Sequence, residues 1–267
     1  MMKDLPLAQS GRGALEVATQ AAGKAGRLIM AHFQGEMRIE YKGRTDIVTD
    51  VDLLAEKAII SLLREEFPGS GFITEESEDI AGDSGYTWII DPLDGTRNYA
   101  YGIPHFCVAI ALARGEELLV GIIYDPLREE LFRTEKGKGA FRNDVPISVS
   151  RKATVQDSLV GFDMGYDAER GQEVLEVASA LWPGVQSVRV MGSAALGLAY
   201  AACARLDIYL HLSLYPWDLA AGMLLIEEAG GVVTEVDGKL ASIHSKTVIA
   251  TSESIHEDFM RRRKEQG

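Results

Sequence analysis

The chain has 267 residues, 46% of them hydrophobic and 25% charged, enough apolar material for one large core or two closely packed subdomains. Forty acidic residues against 27 basic ones leave a net charge of −13. That deficit argues against a nucleic-acid partner, whose phosphate backbone needs clustered positive charge; it suits divalent cations, but alone it describes only a soluble surface.

No stretch reaches the roughly 18–20 apolar residues of a membrane helix, and Met1–Gly11 lacks the apolar centre of a signal peptide, so a cytoplasmic protein without membrane contact is expected. Cys107 and Cys203 have neither CxxC spacing nor a disulfide-rich context and read as small core residues.

Leu15, Ala18, Ala22, Ala25, Ile29 and Phe33 recur at steps of three and four, one face of a first helix. Val51, Leu54, Ala55, Ala58, Ile59 and Leu62 repeat the pattern, with Thr49 as cap, Asp52 three residues later and Pro68-Gly69 as the stop. From Gly71 to Arg142 the periodicity shortens to strands at Phe72–Thr74, Trp88–Ile90, Phe106–Leu112, Leu118–Tyr124, Glu130–Arg133 and Ala140–Arg142. The later ones must be antiparallel, because their connections are too short for crossover helices. After Ser150 strands near 159–162, 188, 208–212, 232–235 and 248–250 alternate with helices near 173–181, 194–204 and 219–229, and a charged helix follows. This predicts two units, 1–147 with helices and antiparallel sheet, and 148–267 with an α/β alternation that completes the site, the change of character lying near Val145–Ser150.

The most informative segment is Trp88-Ile89-Ile90-Asp91-Pro92-Leu93-Asp94-Gly95-Thr96, an apolar strand that breaks at a proline into two acids, a glycine and a hydroxyl. Pro92 has no N–H to give, and the Leu93 carbonyl is freed from sheet pairing, so Asp91, Leu93 and Asp94 can all offer hard oxygen to Mg²⁺. Gly95 and Thr96 open a helical turn whose unpaired N–H groups suit a phosphate. An Asx-turn with a helix cap is the competing reading of the same residues. Two more acidic sites add to the first. Phe72–Thr74 runs into Glu75-Glu76-Ser77, and Tyr215-Pro216-Trp217-Asp218 opens an apolar helix, where Asp218 could also be an ordinary N-cap.

Together these segments resemble the inositol monophosphatase family. The likeness is carried by Gly71–Ser77, by Trp88–Tyr99, by Pro216–Gly222, and by Asp46–Asp52, Gly192–Ala195 and Glu228–Gly231, in order and in separation, over nearly the whole chain. It implies an α/β fold layered αβαβα and Mg²⁺-dependent hydrolysis of a small phosphate monoester, with two or three Mg²⁺ per site, commonly in a lithium-sensitive homodimer. It places Glu75, Asp91 and the Leu93 carbonyl on a first metal and Asp91, Asp94 and Asp218 on a second, with Glu76 behind its neighbour. Asp52, Thr96 and Glu75 take the catalytic roles around the attacking water. Asp94, Gly95, Thr96, Gly192, Ser193, Ala194, His211 and Asp218 take the contacts to a phosphorylated polyol or sugar.

Two positions depart from the family pattern. His211 stands where many inositol-specific members carry Glu seven residues before the Trp-Asp aspartate, which leaves the substrate open between inositol 1-phosphate and a sugar bisphosphate such as fructose 1,6-bisphosphate. Arg97 stands where Thr is frequent; it adds a second charge near the phosphate turn, which also keeps the sugar bisphosphate open, although a solvated surface charge is the preferred reading of it. A regulatory binding protein with residual phosphatase activity is the alternative of a different class. Of the five histidines, His32, His105, His211, His244 and His256, three lie in or beside apolar runs, and no Ser-His-Asp or cysteine nucleophile is recognisable.

Overall fold

The computed structural model describes residues 5–43 and 46–266, the last three by backbone only. The chain begins with α1 (Ala14–His32), a ribbon of β1 (Ile39–Tyr41) and β2 (Ile47–Thr49), and α2 (Asp50–Glu66). Next come β3 (Gly71–Thr74), β4 (Tyr86–Asp94), the single turn α3 (Thr96–Ala100), β5 (Cys107–Arg114), β6 (Glu117–Asp125), β7 (Glu130–Glu135), β8 (Ala140–Arg142) and β9 (Val145–Pro146). The rest comprises β10 (Leu159–Phe162), α4 (Ala168–Leu181), β11 (Ser187–Val190), α5 (Ala194–Ala202) and β12 (Ile208–His211). It ends with α6 (Pro216–Glu228), β13 (Val232–Thr234), β14 (Val248–Thr251) and α7 (Glu253–Gln266).

Three apolar clusters stack these elements into five layers. α1 and α2 bury Ala18, Ala22, Ile29, Ala55, Ile59 and Leu63 against Trp88, Ile90, Val108 and Ile110 of a seven-stranded sheet ordered β3 to β9. The other face of that sheet, through Ile89, Ala109 and Ile123, packs on α5 and α6, which also meet Tyr209, Val248 and Ala250 of a second sheet. Beyond it, Val174 of α4 and Phe259 of α7 cover Val160, Phe162 and Ile249. The layering expected from the resemblance is therefore the one observed.

Local sequence explains the entry to each site-bearing element. At the start of α2, the Thr49 hydroxyl accepts the Val51 N–H at 3.2 Å, and Asp52 accepts the Thr49 N–H at 2.9 Å. β3 runs parallel to β4 with Thr74 opposite Ile90, so Glu75 emerges level with Asp91. β4 differs from expectation. The strand does not stop at Ile90 but continues to Asp94 through a bulge, because Asp91 pairs with Ala109 and Asp94 with Cys107, leaving one residue too many on its side. Pro92, unable to donate, is tolerated at that irregularity. In the second sheet β10, β11 and β12 are parallel and β12, β14 and β13 antiparallel.

α6 lies close on the first sheet because Gly121 of β6 has no side chain, and a Cβ there would fall 2.8 Å from the Ala221 carbonyl oxygen. Gly121→Val forces the helix off the strand and should destabilise the fold by about 1–3 kcal/mol, as overpacking does. Urea unfolding checks this. A change within about 0.5 kcal/mol, the ordinary range for a surface substitution, would mean that the contact is slack.

Candidate active site

Three carboxylates from two layers meet. Asp91 and Asp94 stand on either side of the β4 bulge, and Asp218 is the third residue of α6; one oxygen of each lies within 4.8 Å of the others. Asp218 is not the N-cap. Tyr215 holds that place, and its N–H donates to Asp218 at 2.7 Å. Asp91 accepts the Leu93 N–H at 3.0 Å. Asp94 accepts the Ser193 hydroxyl and the N–H groups of Ala194 (3.1 Å) and Ala195 (2.9 Å), at the start of α5. Ser193 and Ala194 thus spend their donors on Asp94 while lining the same cleft, which encloses about 430 Å³, room for a phosphorylated sugar. Glu75 lines it too, and Lys42 lies 3.4 Å from Glu75 and 2.7 Å from Glu76.

The electrostatics of the cluster are those of negative charge without enough compensation. Burial, then Glu75, Asp94 and Asp218, push the Asp91 carboxyl well above its usual range. Asp218 is raised to about 7 by burial and then by Asp94. Burial raises Asp94 against the pull of its hydrogen bonds, and Glu75 rises well above its usual range by burial, with Lys42 opposing and Glu76 and Asp218 adding. Glu76 reaches about 7, chiefly through burial. Hard, buried, mutually repelling oxygens are the donor set that a small divalent cation such as Mg²⁺ fits.

Beside the cluster runs a hydrogen-bonded line. The Thr96 hydroxyl has two acceptors, Asp52 and the Leu93 carbonyl, each at 3.0 Å. Asp52, fully buried, also accepts the Thr49 hydroxyl and N–H. Burial raises its carboxyl and these donors hold it down. Gly95, with φ of +93°, makes the turn into α3, and a Cβ there would meet the His105 carbonyl at 3.0 Å and the Gly192 carbonyl at 3.2 Å.

Asn98 and Asp163 hold the far wall, a service not read from the sequence. The Asn98 amide donates to the carbonyls of His105 (2.8 Å) and Met191 (2.7 Å), and Asp163 accepts Met191 N–H (2.8 Å), Gly192 N–H (2.5 Å) and the Tyr209 hydroxyl (2.8 Å). Apart from Asn98–His105, these pairs join residues 28–93 positions apart, so no local spacing marks them. His211 is 4% exposed and lines the cleft. Its Nδ1 accepts the Ser213 N–H at 3.0 Å, and burial pushes its pKa down to about 4, so the neutral ring carries its proton on Nε2. Arg97 is corrected. It is half-buried rather than solvated, and its guanidinium lies 4.6 Å from the centre of the Tyr166 ring, on the cleft wall. Cys107 is fully buried, and burial raises its thiol far above the range of a nucleophile.

Comparison with known proteins places this geometry. The model of the inositol monophosphatase family matches residues 12–267. An inositol-1-monophosphatase of Mesorhizobium japonicum is 40% identical over 92% of this chain and 94% of its own, and the Nus factor SuhB of Haemophilus influenzae is 38% identical over 92% and 94%. Among solved structures, the extragenic suppressor protein suhB of Bartonella henselae superposes with a TM-score of 0.88 at 39% identity, covering 92% of this chain and 96% of that one. The Thermotoga maritima IMPase superposes with a TM-score of 0.84 at 32% identity, covering 92% and 95%. The chain belongs to the inositol monophosphatase family, a family of phosphoric monoester hydrolases.

Proposed function

We propose that this protein hydrolyses a small phosphorylated polyol or sugar with Mg²⁺, inositol 1-phosphate first and a sugar bisphosphate such as fructose 1,6-bisphosphate second. The observation that carries the reading is the cluster of buried Asp91 and Asp94 with half-buried Asp218, and Glu75 on the same cleft. Glu75, Asp91 and the Leu93 carbonyl would hold one Mg²⁺, and Asp91, Asp94 and Asp218 a second. Bound Mg²⁺ supplies acidified water and charge neutralisation at the phosphoryl and leaving oxygens.

The chain's own residues do the rest. When the Thr96 hydroxyl donates to Asp52, its oxygen keeps lone pairs that can accept a hydrogen from the attacking water, so Asp52 and Thr96 would orient that water and pass its proton into the buried line. Gly95 and Thr96 would turn backbone N–H groups to the phosphate, Gly192 to Ala194 line the cleft beside them, and His211 would offer Nε2–H to the leaving alcohol. Attack by water needs no protein nucleophile, which accords with the inert Cys107 thiol. A homodimer, lithium inhibition and a cytoplasmic setting belong to the same reading and rest on family membership; no helix among the described residues is long and apolar enough to cross a membrane. Two relatives are named as Nus factors. A purely binding role would leave the crowding of buried carboxylates without a physical reason.

EDTA should abolish hydrolysis of inositol 1-phosphate and Mg²⁺ restore it, and Mg²⁺ should raise the melting temperature of the wild type by mass action. Full turnover in chelator would end the reading. Asp91→Asn should lower kcat by about 10³-fold, the scale of a key electrostatic group, and a loss under about tenfold would remove Asp91 from a shared position between cations.

Thr96→Val should lower kcat by about 10²-fold, as loss of proton handling does, with KM within about twofold. A raised KM with kcat intact would make Thr96 a substrate contact only.

A further inference from the structure

The cleft wall carries a cation that neither the fold nor the metal cluster uses. Arg97 is the second residue of α3; its guanidinium rests on the Tyr166 ring at 4.6 Å, its Nε is buried without a hydrogen-bond partner, and among the described residues it forms no ion pair. In a chain with 40 acidic residues an unpaired, half-buried arginine is conspicuous. The other cleft cation, Lys42, is engaged by Glu75 and Glu76. Stacking on an aromatic ring fixes the plane of a guanidinium and leaves its N–H fork free for a carboxylate or phosphate, the geometry in which arginine reads anions.

The neighbouring wall has the same polarity. Tyr166 follows Gly165, where a Cβ would lie 3.2 Å from His211 Cε1, so Arg97, Tyr166 and His211 form one continuous surface. His211 presents Nε2–H where a glutamate would present acceptors to neutral hydroxyls. Asp163, on the same loop, is consumed by Met191, Gly192 and Tyr209. Asp46 also lines the cleft, on the ribbon side with Lys42.

We propose that Arg97, held by Tyr166, is a specificity residue that binds a second anionic group, phosphate or carboxylate, on the leaving alcohol. The proposal rests on the phosphatase reading and deepens it: among the esters that reading covers, those whose alcohol is itself anionic gain a contact that inositol 1-phosphate does not make.

Matched substrates test it on the full chain with Mg²⁺. Fructose 1,6-bisphosphate is paired with fructose 1-phosphate, and 2-phosphoglycerate with glycerol 2-phosphate, each pair differing in one anionic group. Arg97→Met should lower kcat/KM for the anionic member at least about tenfold more than for its partner, mainly through KM, the scale of a lost charged hydrogen bond. A selective loss in only the first pair identifies a phosphate subsite, and in only the second a carboxylate subsite. Arg97→Lys and Tyr166→Ala, which keep the charge but lose the fork or its support, should give smaller selective losses in KM and serve if Arg97→Met does not fold. Equal losses within both pairs, or an unchanged ratio in all the variants, would overturn the proposal. Turnover of inositol 1-phosphate but of none of the four esters by the wild type would overturn the proposal alone, and absence of turnover on all five would instead overturn the phosphatase reading.

Discussion

Carboxylates buried in one cleft repel one another, and everything near them serves to keep them together. Asp91, Asp94 and Asp218 place oxygens within 4.8 Å, and burial and mutual charge drive their carboxyls upward. Each is secured separately: Asp91 by the N–H of Leu93, Asp218 by that of Tyr215, Asp94 by Ser193 and the first N–H groups of α5. None of these donors cancels a full charge. Groups held against repulsion by rigid elements are preorganised for a cation, and the strain is relieved when one binds.

That requirement reaches into the packing. The acids come from different layers, so the distances between layers must hold to fractions of an ångström. Glycine is the device: Gly121 admits the backbone of α6, a Cβ at Gly222 would lie 2.4 Å from Leu198, and one at Gly197 would lie 2.2 Å from the Tyr209 ring. α5, which secures Asp94, and α6, which carries Asp218, are thus locked to each other and to both sheets.

What the sequence disclosed follows the range of the interactions. The Thr49–Asp52 capping box, the helical faces and the antiparallel run after β4 depend on neighbours within a few residues, and the spacing showed them. The break at Pro92 was visible, but its consequence was not: the strand bulges and continues because β5 supplies partners on both sides of the irregularity. The acidic constellation was recognisable because a resemblance spanning the chain joined segments that local pattern could not. Where the resemblance was silent, so was the sequence. Arg97 read as a surface charge because Tyr166, which covers it, lies 69 positions later in a loop without regular pattern, and Asp163 and Asn98 were similarly invisible as supports of the wall.

The roles proposed for Thr96 and Arg97 would separate chemistry from selectivity within one turn of helix. Successive residues on a helix point about 100° apart, so adjacent side chains face different surroundings. Thr96 turns inward to Asp52 and Leu93, and Arg97 turns along the wall to Tyr166. The inward residue is constrained by two buried partners and by the bulge that exposes the Leu93 carbonyl. The outward one answers only to a loop. Substitution at 97 therefore touches none of the partners of the hydrogen-bonded line at Thr96. A fold arranged in this way can keep one hydrolytic apparatus while its residues at 97, 166 and 211 adapt to different leaving alcohols.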